Sequence, residues 1–313
     1  LRRSTTSRTH AAGLVDHEKF ASTLILCLHS EISKHKIASM NQLRTEQRKA
    51  VVAALVEGVG VNATARLTGV SKPTILKLLK ELGCACAAYH DEHVRGLKPK
   101  YVQCDEIWAF VHCKQKHVKT AKAQAPGIGD VWTWTAIDPD TKLMISYFMG
   151  LRTPADAAEF MLDLAGRITN LTQLTTDGLG SYPEAVRNAF GNEVDYAQLI
   201  KVYKTERPDH ARYSPASCVG CEKKWVQGWP NLEKTSTSIV ERSNLTMRMS
   251  MRRFTRLTNG HSKKVENHGH SVALFFFYYN FCRKHMTLGT TPAVAAGLTD
   301  HVWSMDELIG LLN

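Results

Sequence analysis

Apolar positions recur at helical spacing from Thr45, where TEQRKAVVAALVEG places Val51, Val52, Leu55 and Val56 on one face before Gly58 and Gly60 end the pattern. NATARLTG predicts a second short helix. VSKPTILKLLKELG predicts a third, with Ser71 as N-cap, Pro73 in the first turn where its missing N–H costs nothing, and Gly83 as the stop. Beyond LKPK, near residue 98, the period becomes that of strands: YVQCDEIWAFVHC, VWTWTAID and LMISYFMG. The turn DPDT joins the last two, and the lysine-rich loop KQKHVKTAKAQAPG separates the first two. TPADAAEFMLDLAGRI reads as a helix, LTQLTTD as a fourth strand, SYPEAVRNAFG as a helix and VDYAQLIKVY as a fifth strand. Two more helices follow. In TSIVERSNLTMRMSMRRFTR, residues 237–256, Val240, Met247, Met251 and Phe254 form one stripe, and Glu241, Asn244, Arg248 and Arg252 another. In KKVENHGHSVALFFFYYNFCRKH, Val272, Phe275, Phe276 and Tyr279 recur at core-facing intervals. Hairpin-joined strands followed by strands alternating with helices predict an α/β fold, a mixed five-stranded sheet covered by helices, after an all-α unit.

The 313 residues suffice for one large domain or two modest ones. The expected division is an N-terminal extension over 1–39, a helical domain over 40–97, and a sheet domain over 98–313 with an insertion at about 203–236. The first methionine is Met40; the extension is polar and basic, lacks a signal-peptide pattern, and is expected to be poorly ordered or to lie upstream of the natural start. Lys and Arg number 40 against 29 Asp and Glu, a net charge of +11 that suits a polyanionic partner. Eight scattered cysteines lack the density of a disulfide scaffold and point to a reducing compartment. No apolar run approaches the roughly 20 residues that span a bilayer, so a soluble protein is expected, not a membrane one.

Ala65, Gly69, Val70, Ile75 and Leu78 fall where a helix-turn-helix needs a small residue, a turn glycine and apolar pins, although any three-helix packing unit shares that pattern. In a DNA complex the helix from Ser71 would offer Lys72, Thr74, Lys77 and Lys80 to the major groove. Two acids stand where chemistry is built. Asp105 lies inside an apolar strand, which is costly unless a metal or donor compensates, and Asp177 ends the fourth strand before a glycine. Glu106 should point to the opposite face. First and fourth strands lying side by side would bring Asp105 and Asp177 together, and Glu241 on the following helix could complete a site for two divalent metals. Magnesium, hard and oxygen-seeking, suits such a site, and manganese can substitute.

The segments CDEIWAFV, TTDGLGSY, SIVERSNLTMRMSMRRFTRLT and YYNFCRKHMTLGTTPAVAAG together resemble the DDE transposases of bacterial insertion sequences, over about residues 40–313. The similarity is to a short insertion-sequence family that joins a helix-turn-helix to a ribonuclease H-like catalytic domain. It implies that Asp105, Asp177 and Glu241 are the catalytic and metal-binding triad of a polynucleotidyl transferase. It also implies hydrolysis at transposon ends, attack of the freed 3′ hydroxyl on target DNA, a homo-oligomer on DNA and a bacterial, cytoplasmic setting. Two rival functions remain: a DNA-binding regulator with an inactive sheet domain, and a structure-selective nuclease. Arg242, Asn244, Arg248, Arg252, Arg253 and Arg256 are expected to contact DNA, the arginines gripping phosphates of the strand whose metal Glu241 holds.

Some relatives carry an N-terminal zinc element, but residues 1–39 hold a single cysteine. Cys218 and Cys221 form a CxxC that is half a zinc site, with His210, Cys84 and Cys86 as speculative partners, and zinc is not expected. Trp225 and Trp229, beside Lys223 and Lys224, could stack on unpaired bases or pack against the sheet. Trp108, Trp132 and Trp134 are expected in the core or on a sheet face. His268 and His270 could approach a metal, or be solvated or capping; Arg283 and His285 could meet a phosphate or fasten a helix end.

Overall fold

Six strands form one mixed sheet in the computed structural model, which describes residues 43–121, 127–203, 218–255 and 258–312. The strands are β1 Tyr101–Val111, β2 Gly129–Ile137, β3 Met144–Gly150, β4 Thr172–Asp177, β5 Val194–Tyr203 and β6 Cys218–Gln227, in the order β3-β2-β1-β4-β5-β6. β1, β2 and β3 form an antiparallel meander, β4 and β5 run parallel to β1, and β6 is antiparallel to β5. The expected five strands become six. β6 lies within the stretch read as an insertion and closes the sheet's far edge; it shows no apolar alternation because its residues from Cys218 to Trp225 are exposed. The mixed sheet with flanking helices is consistent with a ribonuclease H-like fold.

Helices α4 (Pro154–Ala165) and α5 (Tyr182–Phe190) cover one face, over a cluster that includes Cys104, Trp134, Phe160, Leu174 and Tyr196. Helix α6 (Ser238–Ser250) covers the other, over Ile107, Ala109, Val131, Met247 and Phe276. Helix α7 (Val265–Phe277) contributes to both clusters, and its Val272, Phe275 and Phe276, with Tyr279 in the turn that follows, are buried as their spacing predicts. The turn after α7 places Asn280 against edge strand β3, where its amide accepts from Met144 N–H and donates to Met144 C=O. Short helices α8 (Pro292–Ala295) and α9 (Met305–Gly310) finish the chain.

The three N-terminal helices are α1 (Thr45–Val56), α2 (Val61–Thr68) and α3 (Lys72–His93). Gly69 ends α2 in a left-handed conformation, and the Ser71 side chain accepts from Thr74 N–H as the N-cap. Gly83 does not stop α3, which continues because Leu82, Cys86 and His90 keep its buried face running. The glycine serves packing instead: a Cβ there would lie 2.5 Å from His270 Cβ and 2.6 Å from His270 Cα, on α7. Alanine ordinarily stabilises a helix interior by about 1 kcal/mol over glycine. Here Gly83→Ala is expected to lower stability by about 1–3 kcal/mol through overpacking, read as a drop in the unfolding midpoint. The far end of α3 is fastened by Arg167, which pairs with Asp163 on α4 at 2.8 Å and with Asp91 on α3 at 3.0 Å. One continuous core therefore joins the helical unit to the sheet.

Candidate active site

β1 and β4 pair from Tyr101 with Gln173 to Gln103 with Thr175, and no further. Extending that register by two residues sets Asp105 beside Asp177 on the α6 face, since strand side chains repeat on alternate residues. Glu106 belongs to the opposite face, next to the buried Tyr182, as alternation requires. Beyond the last rung, however, nothing separates its carboxylate from the other two. Oxygens of Asp105, Glu106 and Asp177 all lie within 4.8 Å of one another.

Each acid is held. Asn244 on α6 donates to Asp105 Oδ2 at 2.9 Å, and Thr135 on β2 donates to both the Asp105 carbonyl and Asn244 Oδ1. Asp177 accepts Leu179 N–H at 2.9 Å. Arg152, between β3 and α4, places Nη2 3.1 Å from Glu106 and 3.5 Å from Asp177, while its guanidinium lies 4.9 Å from the Trp132 ring centroid. Gln103 Oε1 accepts the backbone N–H groups of Ile239 and Val240, fixing the first turn of α6 to β1. Glu241, in that turn, accepts from Thr237 and pairs with Lys201 on β5 at 2.5 Å. It stands outside the 4.8 Å cluster, although its charge reaches Asp105.

Burial, then the charge of Asp177, pushes Asp105 up to about 6 and Glu106 up to about 8. Arg152 alone does not offset this crowding. Among the described residues, besides Arg152, Glu106 has only the buried Tyr182 hydroxyl to stabilise its charge. Hard carboxylate oxygens, close together and short of positive charge, fit a divalent metal such as magnesium. Arg152→Met would leave Glu106 without its cation. The expected loss is about 1–3 kcal/mol of metal-free stability at pH 8, below that of a fully buried pair because the Arg152 side chain is 37% exposed. Chemical denaturation measures it, and magnesium should recover most of the loss.

The expected DNA-contacting residues divide. Lys72, Lys77 and Lys80 are exposed on α3; Thr74 is half-buried, its hydroxyl on Ser71, and Lys77 lies 3.9 Å from Glu81. Arg242 and Arg252 are exposed, and Arg248 donates to the Phe254 carbonyl. Asn244 is buried and turned inward to Asp105. The helix expected over 237–256 stops at Ser250, because Met251 is extended and a tight turn swings Phe254 into the core. Arg252 and Arg253 are therefore off the α6 stripe. Arg253 donates to Ser262, and burial pushes its guanidinium down to about 10. Arg256 lies outside the described residues. A cleft between α1–α3 and residues 251–275 is lined by Arg66, Lys72, Arg252, Arg253 and Lys263, with Glu57 as its acid.

His268 is fully buried on Ser262, and burial pushes it down to about 3; His270 is buried on α7 against Gly83. Neither is the solvated residue the sequence allowed. Arg283 donates to Ser250, and the His285 ring contacts Thr287. Cys218 and Cys221 lie 4.0 Å apart at their sulfurs, Cys84 faces His270 and Cys86 is in the core; His210 is outside the described residues. Trp134 is buried, while Trp108 and Trp132 are half-buried on the sheet. Sequence reasoning missed Glu106, Arg152 and Gln103. The adjacency of Glu106 to Asp105 was its only signal, and alternation argued against it.

No protein-family model matches the sequence, and no curated protein matches it. Among solved structures, the cryo-EM structure of a piggyBac transposase synaptic complex with hairpin DNA aligns over 94% of this chain and 76% of that one, at 10% identity and a TM-score of 0.39. An overlay at that level assigns no residue a role. Among the described residues no helix is long and apolar enough to cross a membrane.

Proposed function

We propose that the chain is an insertion-sequence DNA transposase of the DDE type, with a ribonuclease H-like catalytic domain, which cleaves transposon ends and joins them to target DNA. The observation that carries this reading is the meeting of Asp105, Glu106 and Asp177 past the last rung between β1 and β4. Asp105 and Asp177 would hold magnesium, or manganese in its place, with Glu106 beside them and Glu241 one helix turn from Asn244 on the same face. When bound, two such ions supply Lewis acidity to the attacking and leaving oxygens of a phosphodiester. Asn244 orients Asp105 and keeps it from rotating toward Thr135. Gln103 sets the height of α6, and so of Glu241, above the sheet. Arg152 partly offsets the charge of Glu106 and Asp177.

DNA binding follows from charge and placement. The basic cleft joins the N-terminus of α3 to Arg252, so one duplex held there contacts both Lys72 and the arginine segment. Residues 40–97 act in this reading as a helix-turn-helix, and pairing two transposon ends calls for a homo-oligomer. Labelled end duplex, target plasmid and magnesium test the proposal together. A 3′ hydroxyl at the end, followed by joined product, supports it. Binding without cleavage under any divalent metal would indicate a regulator, and cleavage without joining a nuclease.

A further inference from the structure

Lys201 stands at the open end of the carboxylate site. β4 ends at Asp177, which pairs with Leu199, while β5 runs on to Tyr203. Lys201 is two residues past that rung and shares the face of Leu199 and Asp177, about 8 Å from Asp177 between Cα atoms at ordinary sheet spacings. The chain leaving β4 crosses to the other face, where Gln198 donates to the carbonyls of Asp177 and Leu179, and a Cβ on Gly178 would lie 3.3 Å from Ile200. That turn therefore leaves the α6 face beside Lys201 uncovered.

On that face the Lys201 ammonium lies 2.5 Å from Glu241, and its charge reaches Asp105. Both partners are partly exposed, Lys201 at 27% and Glu241 at 38%, so ions in solution reach the pair. A second donor to Glu241 is the hydroxyl of Thr237, the N-cap of its own helix. Glu241 is thus held by a cation of the protein, outside the cluster of Asp105, Glu106 and Asp177. A carboxylate oxygen that close to an ammonium cannot also take a divalent cation, because the two positive charges would repel across a few ångströms. Whichever cation holds Glu241 displaces the other. Lysine suits such an exchange: it is a compact charge on a flexible four-carbon stem, whereas an arginine fork would grip the carboxylate bidentately.

We propose that Lys201 and a divalent cation exchange at Glu241, and that the lysine so released takes a DNA phosphate beside the carboxylates. Resting on the transposase reading, the exchange ties metal loading to the grip on DNA. The metal-free protein keeps Glu241 and Lys201 occupied with each other, and loading frees a positive charge where the strand must lie. One phosphate contact then forms only in the metal-bound complex.

The test uses the full chain as wild type, Lys201→Met and Lys201→Arg, with manganese as the metal probe and a fluorescent end duplex as the DNA probe. Manganese should bind Lys201→Met about fivefold more tightly than wild type, since its competitor is gone. Adding Glu241→Gln to Lys201→Met should abolish that gain. Duplex affinity, read by anisotropy with calcium in place of magnesium to hold the complex before cutting, should fall about threefold in Lys201→Met, with a salt slope shallower by about one. Without metal the same variant should bind the duplex within about twofold of wild type. Lys201→Arg should keep the duplex affinity and the salt slope, because it keeps the charge. Manganese affinity that is unchanged or weaker in Lys201→Met overturns the exchange. So does an equal loss of duplex affinity with and without metal, which would mark an ordinary surface contact. A fold defect weakens both ligands together, whereas the exchange moves them in opposite directions. Wild type that binds neither manganese nor the end duplex would refute the transposase reading and the exchange with it, an outcome distinct from failure in the variants alone.

Discussion

Asp105→Asn is expected to reduce magnesium-dependent strand cleavage by at least about a thousandfold while leaving the protein folded and no less stable. The loss follows from removing a charged oxygen from a site whose chemistry is charge stabilisation of a phosphodiester. Retained stability follows from the metal-free structure. Asp105 is half-buried, pushed up to about 6 by desolvation and then by Asp177, so a neutral side chain of the same shape relieves repulsion. Asn244 can still meet it through the remaining carbonyl oxygen. Asp177→Asn should behave alike in activity. Glu241→Gln separates the family expectation from the observed cluster: it breaks the ion pair with Lys201, and loss of cleavage comparable to that of Asp105→Asn would place Glu241 in the metal site. Single-turnover cleavage, with thermal melts of the same preparations, measures both halves.

A second large effect links metal to pH. Glu106 is raised by burial, then by Asp177, to about 8, and Asp105 to about 6, so between roughly pH 4 and 8 these two carboxyls hold more protons in the folded protein than in the unfolded chain. Their contribution to stability therefore falls as pH rises through that window, the reverse of the usual paired carboxylate, while His90 and His268, pushed down to about 3 by burial, contribute the opposite slope up to about pH 6.5. For Glu106, whose side chain is 1% exposed, the cost between the two limits is on the order of 5 kcal/mol. A cation that binds only the ionised acids offsets this at pH 8 and has little to bind at pH 5. Melting curves are expected to show metal-free protein losing stability from about pH 6.5 to 8, with magnesium raising the midpoint at pH 8 by several degrees and at pH 5 hardly at all. Glu106→Gln should flatten the metal-free dependence.

Where side-chain periodicity was strong, the sequence was a good guide to the fold. The meander from Tyr101 to Gly150, the parallel pair β4 and β5, and the buried stripe Val240 and Met247 all follow from alternation or helical spacing. Asp105 and Asp177 meet for the same reason, since β1 and β4 are neighbours in phase. β6 escaped notice because an edge strand exposed on both faces has no apolar pattern to show. Gly83 was misread because a glycine that ends a helix and one that admits a neighbouring helix look alike without the neighbour. Glu106 does lie on the opposite face, still paired to β2, and was set aside because alternation says nothing of acids that reach one another past the end of the β1–β4 ladder. Arg152 carries no local signature, since its partners are acids on two other strands.

The central claim is that the carboxylates meeting beyond the last rung of β1 and β4 bind divalent metal for phosphoryl transfer. Titration of metal-free protein with manganese at pH 8, followed by calorimetry and by the loss of the free-ion paramagnetic signal, measures this directly. The structure predicts saturable binding in wild type that is lost in Asp105→Asn combined with Asp177→Asn. Equal binding by wild type and that double variant would contradict it.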